Sequence, residues 1–156
     1  MSRHKGKTGR LDELDLNILK ILQRNSRESF SEISKKLGVP EATVRYRVKK
    51  LVNSGVIKGF YALIDPRKVG LPFSMIILID TDPGHLDEIF EKLKSMPETS
   101  HAFRLTGKYN VVAIFHARDM EHVNMINERV RSFKGIRSVE TLLVTGLVYI
   151  NPELPL

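Results

Sequence analysis

The sequence predicts an α+β protein in two modules, three helices over the first third and a βαββαβ unit over the rest. Three observations carry this. Apolar residues recur at helical spacing from Leu11 to Leu51, then gather into short strand-like runs from Ser74 onward. Two prolines and a glycine punctuate residues 65–72 between them. Charge divides at the same place: residues 1–60 hold 14 Lys/Arg against 6 Asp/Glu, residues 61–156 hold 11 against 12. The expected organisation is a flexible basic arm over 1–10, helices over 11–60, a strand and linker over 61–71, and the sheet unit over 72–156.

Bulk composition narrows the classes. With 156 residues and 42% apolar content, the chain can bury a core. It has no cysteine, which removes disulfides, thiol catalysis and cysteine-held metals. No run is long and apolar enough for a membrane span. The basic segment MSRHKGKTGR lacks the apolar stretch of a secretory signal, so a cytoplasmic location is expected.

LDELDLNILKILQR places Leu11, Leu14, Ile18, Leu19, Ile21 and Leu22 on one helical stripe, with acidic residues at its start. Ser31 is the expected cap of a second helix containing Ile33 and Leu37, which Gly38 ends. Pro40 opens a third helix, where its missing N–H costs little. Val44, Val48, Leu51 and Val52 are expected inside, and Thr43, Arg45, Tyr46, Arg47, Lys49 and Lys50 outside. Gly55 closes that helix. VIKGFYALID then reads as a strand with a bend at Gly59, giving a small β-ribbon after the helices.

Two short helices joined by a glycine turn, with a basic outer face on the second and a ribbon behind it, form a winged helix–turn–helix. Its fit to the major groove makes duplex DNA the expected partner. Glu41, Ala42, Thr43, Arg45 and Tyr46, near the start of the third helix, are the candidate base readers. Arg47, Lys49, Lys50 and Lys58 are the candidate phosphate contacts. The concentration of basic charge on this one module supports the reading.

In the second module SMIILIDTD reads as a strand buried on both sides, followed by a helix with Leu86, Ile89, Phe90 and Leu93 inward. SHAFRLTG and VVAIFHA are two strands joined by Gly107-Lys108-Tyr109-Asn110; MEHVNMINERVRSF is a helix and IRSVETLLVTGLVYI a long last strand. This is a ferredoxin-like split βαββαβ. Helices cover one face, and the other is expected to be left apolar by Ile77, Ile79, Val112 or Ile114, for a second copy to bury. If residue 106 pairs with 111, His101 faces His116 across the hairpin; a hydrogen-bonded pair is expected there, and no metal or cofactor.

With both halves assembled, the chain resembles the archaeal and bacterial Lrp/AsnC ("feast/famine") transcription regulators from Leu11 to Leu147. The matching stretches are LDELDLNILKILQRNSR, SFSEISKKLGVPEATVRYRVKKLVNSGVIKGFYALIDP, LTGKYNVV and IRSVETLLV. The resemblance implies a RAM/ACT-like second domain and a homodimer exchanging contacts through the 57–65 strand and the sheet faces. It further implies tetramers or octamers, and an amino acid or related metabolite bound between subunits. The effector turn of the family, commonly Gly-Asp-Tyr/Phe-Asp, is here Gly107-Lys108-Tyr109-Asn110, so both acidic positions are lost. An ammonium group gains most from a carboxylate, which disfavours an ordinary α-amino acid. A more acidic ligand, weak binding and a vacant site stay open. Thr106, the turn amides and Thr141 are the remaining candidate effector contacts. Some sirohaem-type decarboxylases resemble the same two-domain architecture, and an enzyme of that kind is the alternative.

If Arg45 reads bases, Arg45→Ala abolishes binding to a selected site far more than binding to random duplex. Equal losses in a gel-shift titration of the two duplexes would refute a base-reading role.

Overall fold

The computed structural model describes residues 11–146, Tyr149 and 151–156. The basic arm expected over 1–10 lies outside them. The chain divides into two compact units, one holding residues up to Leu63 together with Tyr149–Leu156, the other holding Ile64–Val148.

The first unit is built from α1 (Glu13–Arg24), α2 (Phe30–Leu37) and α3 (Glu41–Asn53). Ile18, Leu19, Leu22, Ile33, Val44, Val48 and Leu51 form its core. Two reciprocal caps start the first two helices: Asp12 with Asp15, and Ser29 with Glu32. Ser29 therefore caps α2, not Ser31, because only Ser29 has a glutamate three residues on to complete the box. Gly38 follows α2 at φ 65°, a left-handed turn that a side chain would strain. Val52, expected inside, is 43% exposed. It lies about 100° around the helix from buried Leu51 and falls on the flank.

The expected ribbon is absent among the described residues. Segment 57–64 forms no strand, and Phe60, Tyr61, Leu63 and Ile64 are exposed on it. A strand needs a hydrogen-bonded neighbour, and none is described for it within the chain. The expected linker is partly structured: Pro66–Val69 is a short 3-10 turn started by Asp65.

The second unit is βαββαβ, with β1 (Phe73–Thr81), α4 (Leu86–Ser95), β2 (Thr99–Arg104), β3 (Val111–Ala117), α5 (Met120–Arg131) and β4 (Ile136–Leu143). The sheet order is β2-β3-β1-β4, antiparallel throughout. The last strand is shorter than its apolar run implied. Met75, Ile77, Ile79, Val111, Ala113 and Phe115 pack beneath Ile89, Leu93, Val123, Ile126 and Val130 of the helices.

Two expectations about this sheet are corrected. Burial alternates along β1, so the strand is deeply buried on one side only. Ile77 and Ile79 therefore belong to the helix-covered core. The opposite face carries Ile76 and Leu78, in register with Ile114 and Val112. The histidines do not face each other either. The turn is closed by Leu105 and Asn110, and Arg104 pairs with Val111, so the hairpin runs two residues out of the expected register and puts His101 opposite Ile114, while His116 lies opposite Ser74 on β1.

Parity along β1 predicts unequal costs for neighbouring truncations. Ile77→Ala should lower unfolding free energy by about 3 kcal/mol through cavity formation, and Leu78→Ala by under about 1 kcal/mol in the monomer. Denaturant melts at low protein concentration measure both.

Candidate nucleic-acid interface

The outward face of α3 carries Glu41, Ala42, Arg45, Tyr46, Lys49 and Lys50, all exposed; Tyr46 is 66% open to solvent. Thr43 is half-buried beside them. Lys58 is exposed beyond the helix end. Among the described residues Lys49, Lys50 and Lys58 enter no ion pair, so their charge is available to an outside anion. Arg45 is more constrained. Its Nη2 donates to Glu41 Oε1 at 2.7 Å, and its guanidinium lies 5.1 Å over the Phe30 ring of α2.

Arg47 departs from its expected role. It turns inward and donates to both Asp12 and Asp15, the latter at 3.1 Å. Asp15 is only 1% exposed, and Arg47 24%. A buried carboxylate requires a partner, so Arg47 is held as a structural clamp between α3 and the start of α1. Asp12 accepts the Asp15 backbone N–H and an Arg47 N–H, which hold its carboxyl below the usual carboxylate range; the two carboxylates raise Arg47 further. Asp12 and Asp15 are the residues missed on the sequence side of this contact. Acidic residues marked the start of that helix, but nothing local pointed to a partner 32 and 35 residues away.

The second candidate site is the turn between β2 and β3. Thr106, Gly107 and Lys108 are exposed, and Gly107 has φ 117°. Lys108 Nζ lies 4.9 Å from the centre of the Tyr109 ring. Tyr109 first, then Glu140 and Asp80, hold Lys108 above its ordinary value. The Tyr109 hydroxyl donates to Glu140, a residue that sequence reasoning did not single out. Asn110 is turned to structural work. Its Oδ1 accepts from Thr81 N at 3.1 Å, its Nδ2 donates to Thr81 O at 2.7 Å, and its backbone N–H donates to Ile79 O. Thr141 is not brought to the side of Glu140. It pairs with core residue Ile77, faces the helices, and donates to Asn127 Oδ1 at 2.8 Å. The alternation of β4 explains this: Glu140 and Thr141 point to opposite faces.

The histidines hold no cluster either. His116 lies 2.9 Å from Ser74 Oγ, and burial, with a smaller contribution from His101, pushes its ring below the ordinary value. No group of three metal-ligating side chains occurs among the described residues. No helix among them is long and apolar enough to cross a membrane.

With this geometry established, known proteins give it a context. Residues 11–58 match the winged helix-turn-helix DNA-binding family, and residues 74–154 match the Lrp/AsnC ligand binding domain. The chain belongs to the Lrp/AsnC family of transcriptional regulators. Among its relatives is an uncharacterized HTH-type transcriptional regulator of Pyrococcus abyssi, 39% identical over 138 residues, covering 88% of this chain and 87% of that one. The HTH-type transcriptional regulator Ptr1 of Methanocaldococcus jannaschii is 34% identical over 147 residues, covering 94% and 99%. The solved structure of Escherichia coli AsnC superposes with a TM-score of 0.79 at 27% identity, covering 90% of this chain and 95% of AsnC. This Lrp/AsnC chain is thus a DNA-binding transcriptional regulator with a ligand-binding domain.

The inward clamp sets one test. Arg47→Ala should lower the melting temperature by about 5 °C or more, because it strands the buried Asp15, while Lys50→Ala moves it by no more than about 1 °C. The pH dependence follows in sign. Asp12 has a depressed folded value, so its contribution is present above about pH 4 and is lost as pH falls through the folded value. As pH falls below about 4, Arg47→Ala should therefore lose less additional stability than the parent in thermal melts.

Proposed function

We propose that this Lrp/AsnC regulator binds specific duplex sequences as a homodimer or larger assembly, through the outer face of α3. The carrying observation is the sorting of basic side chains there: Arg47 is consumed by carboxylates, while Lys49, Lys50 and Lys58 are left unpaired among the described residues. In this reading Arg45 and Tyr46, with Ala42 and Thr43, meet base edges, Glu41 stands against Arg45, and the three lysines meet phosphates.

A single helix–turn–helix gains both affinity and register by pairing, since two-fold dimers read half-sites about 34 Å apart. Two features support pairing. One is the apolar sheet face of Ile76, Leu78, Val112 and Ile114. The other is the exposed segment carrying Phe60, Tyr61, Leu63 and Ile64, which has no strand partner within the described chain. Both are surfaces that a second copy would bury.

The turn at 106–110 is the proposed effector contact, for an amino acid or related metabolite. With Asn110 bonded to Thr81, the polar groups facing a ligand would be Lys108, Tyr109 and Glu140. The regulatory reading is preferred to an enzyme of the same architecture because the distinctive chemistry lies on α3.

Duplex titration across salt concentrations tests the proposal. Three to four phosphate contacts per protomer predict log K falling with log salt at a slope of about −3 per protomer. Light scattering on the free protein should give a dimer or a multiple of it. No duplex binding at low salt would refute the function, and a monomer at micromolar concentration would refute the assembly.

A further inference from the structure

We infer that Glu41 and Phe30 hold Arg45 as a reader of guanine rather than a phosphate clamp, an inference that rests on the duplex-binding reading above. Arg45 differs from the other outward cations of α3. One turn upstream, Glu41 Oε1 takes a hydrogen from its Nη2 at 2.7 Å. Beneath it, the guanidinium carbon lies over the Phe30 ring of α2, 5.1 Å from its centre. The group is held at one edge and on one face, while its outer part stays exposed.

These contacts have opposite effects on the two things an arginine can do at DNA. Attraction to phosphate depends on net charge, and the carboxylate of Glu41 offsets that charge and repels phosphate itself. Base reading depends on the direction of N–H groups. The guanidinium has five, and Glu41 occupies one, leaving enough for a two-bond contact. Guanine presents two acceptors side by side in the major groove, O6 and N7. Adenine presents one acceptor beside an amine donor, so it cannot accept both bonds. A planar group held against an aromatic face also loses less freedom when it docks. Lys49 and Lys50 have neither support and suit the phosphate role. Glu41 is thus a positioning residue, acting on sequence choice through Arg45.

The test compares the full-length wild type with Glu41→Gln and Arg45→Lys. An exposed ion pair contributes little stability, so both variants should melt close to wild type, which the same samples verify. Selection from a random duplex pool should enrich one guanine per half-site for wild type. In Glu41→Gln the guanine preference should fall about tenfold, while affinity for random duplex rises about threefold and the salt slope steepens by about 0.9 per protomer. Arg45→Lys should weaken the guanine enrichment more than it weakens binding to random duplex, because a lysine ammonium lacks the fixed fork that selects O6 and N7 together. Glu41→Gln with wild-type selection and slope, or with equal losses on selected and random duplex, would overturn the inference. Wild-type binding without guanine enrichment would overturn this inference alone. Absence of any duplex binding by wild type would bring down the DNA reading and the inference together.

Discussion

A carboxylate buried in the helical unit dictates how its third helix is turned. Asp15 is almost fully enclosed, and it is answered by Arg47 across the interface between α1 and α3. Leaving such a carboxylate unpaired would cost several kcal/mol, so the rotation of α3 is not free. With Arg47 committed inward beside Val44, Val48 and Leu51, positions 45, 46, 49 and 50 must face out. Asp12 joins the same guanidinium while capping α1, so one arginine ties a helix start to the surface proposed to meet DNA. Electrostatics here does two separate tasks with adjacent residues: Arg47 orients the helix, and the lysines beyond it remain for a polyanion.

The sheet unit rests on alternation. Met75, Ile77 and Ile79 go under the helices, which leaves Ile76 and Leu78 on the opposite face beside Ile114 and Val112. The same alternation divides the last strand, sending Thr141 to Asn127 of α5 and Glu140 to Tyr109 of the turn. One periodicity thus supplies an apolar surface suited to a second subunit and a polar corner at its end. In the proposed assembly these lie together, which would let a ligand at the turn alter how two subunits pair.

Much of this was legible from residue patterns. The three helices were readable because Leu14, Ile18, Leu22 and then Val44, Val48, Leu51 keep a period that no other structure satisfies, and Gly38 stops α2 where a left-handed residue is needed. The order of the sheet elements was readable for the same reason. Other features were not local. Residues 75–79 are apolar at every position, so period two was invisible there and the parity of β1 came out reversed. The hairpin register depends on which residues close the turn, and Leu105 with Asn110 does so where 106 with 111 was expected. Arg47 looked like its neighbours because its partners, Asp12 and Asp15, lie more than thirty residues away. Segment 57–64 has strand-forming residues, yet a strand is a property of two segments, and the described chain supplies one. At the turn, Asn110 read as a ligand group, but its amide matches the backbone of Thr81, a complementarity visible only once β1 is beside it.

The central claim is that the outer face of α3, with Lys58 beyond it, is where this regulator meets duplex DNA. Lysine acylation footprinting measures that contact residue by residue, on the full chain with and without bound duplex. Protection confined to Lys49, Lys50 and Lys58, with Lys92 and Lys94 of α4 labelled equally in both states, is the predicted result. Unchanged labelling at Lys49, Lys50 and Lys58 under saturating duplex, or protection centred on α4, would contradict it.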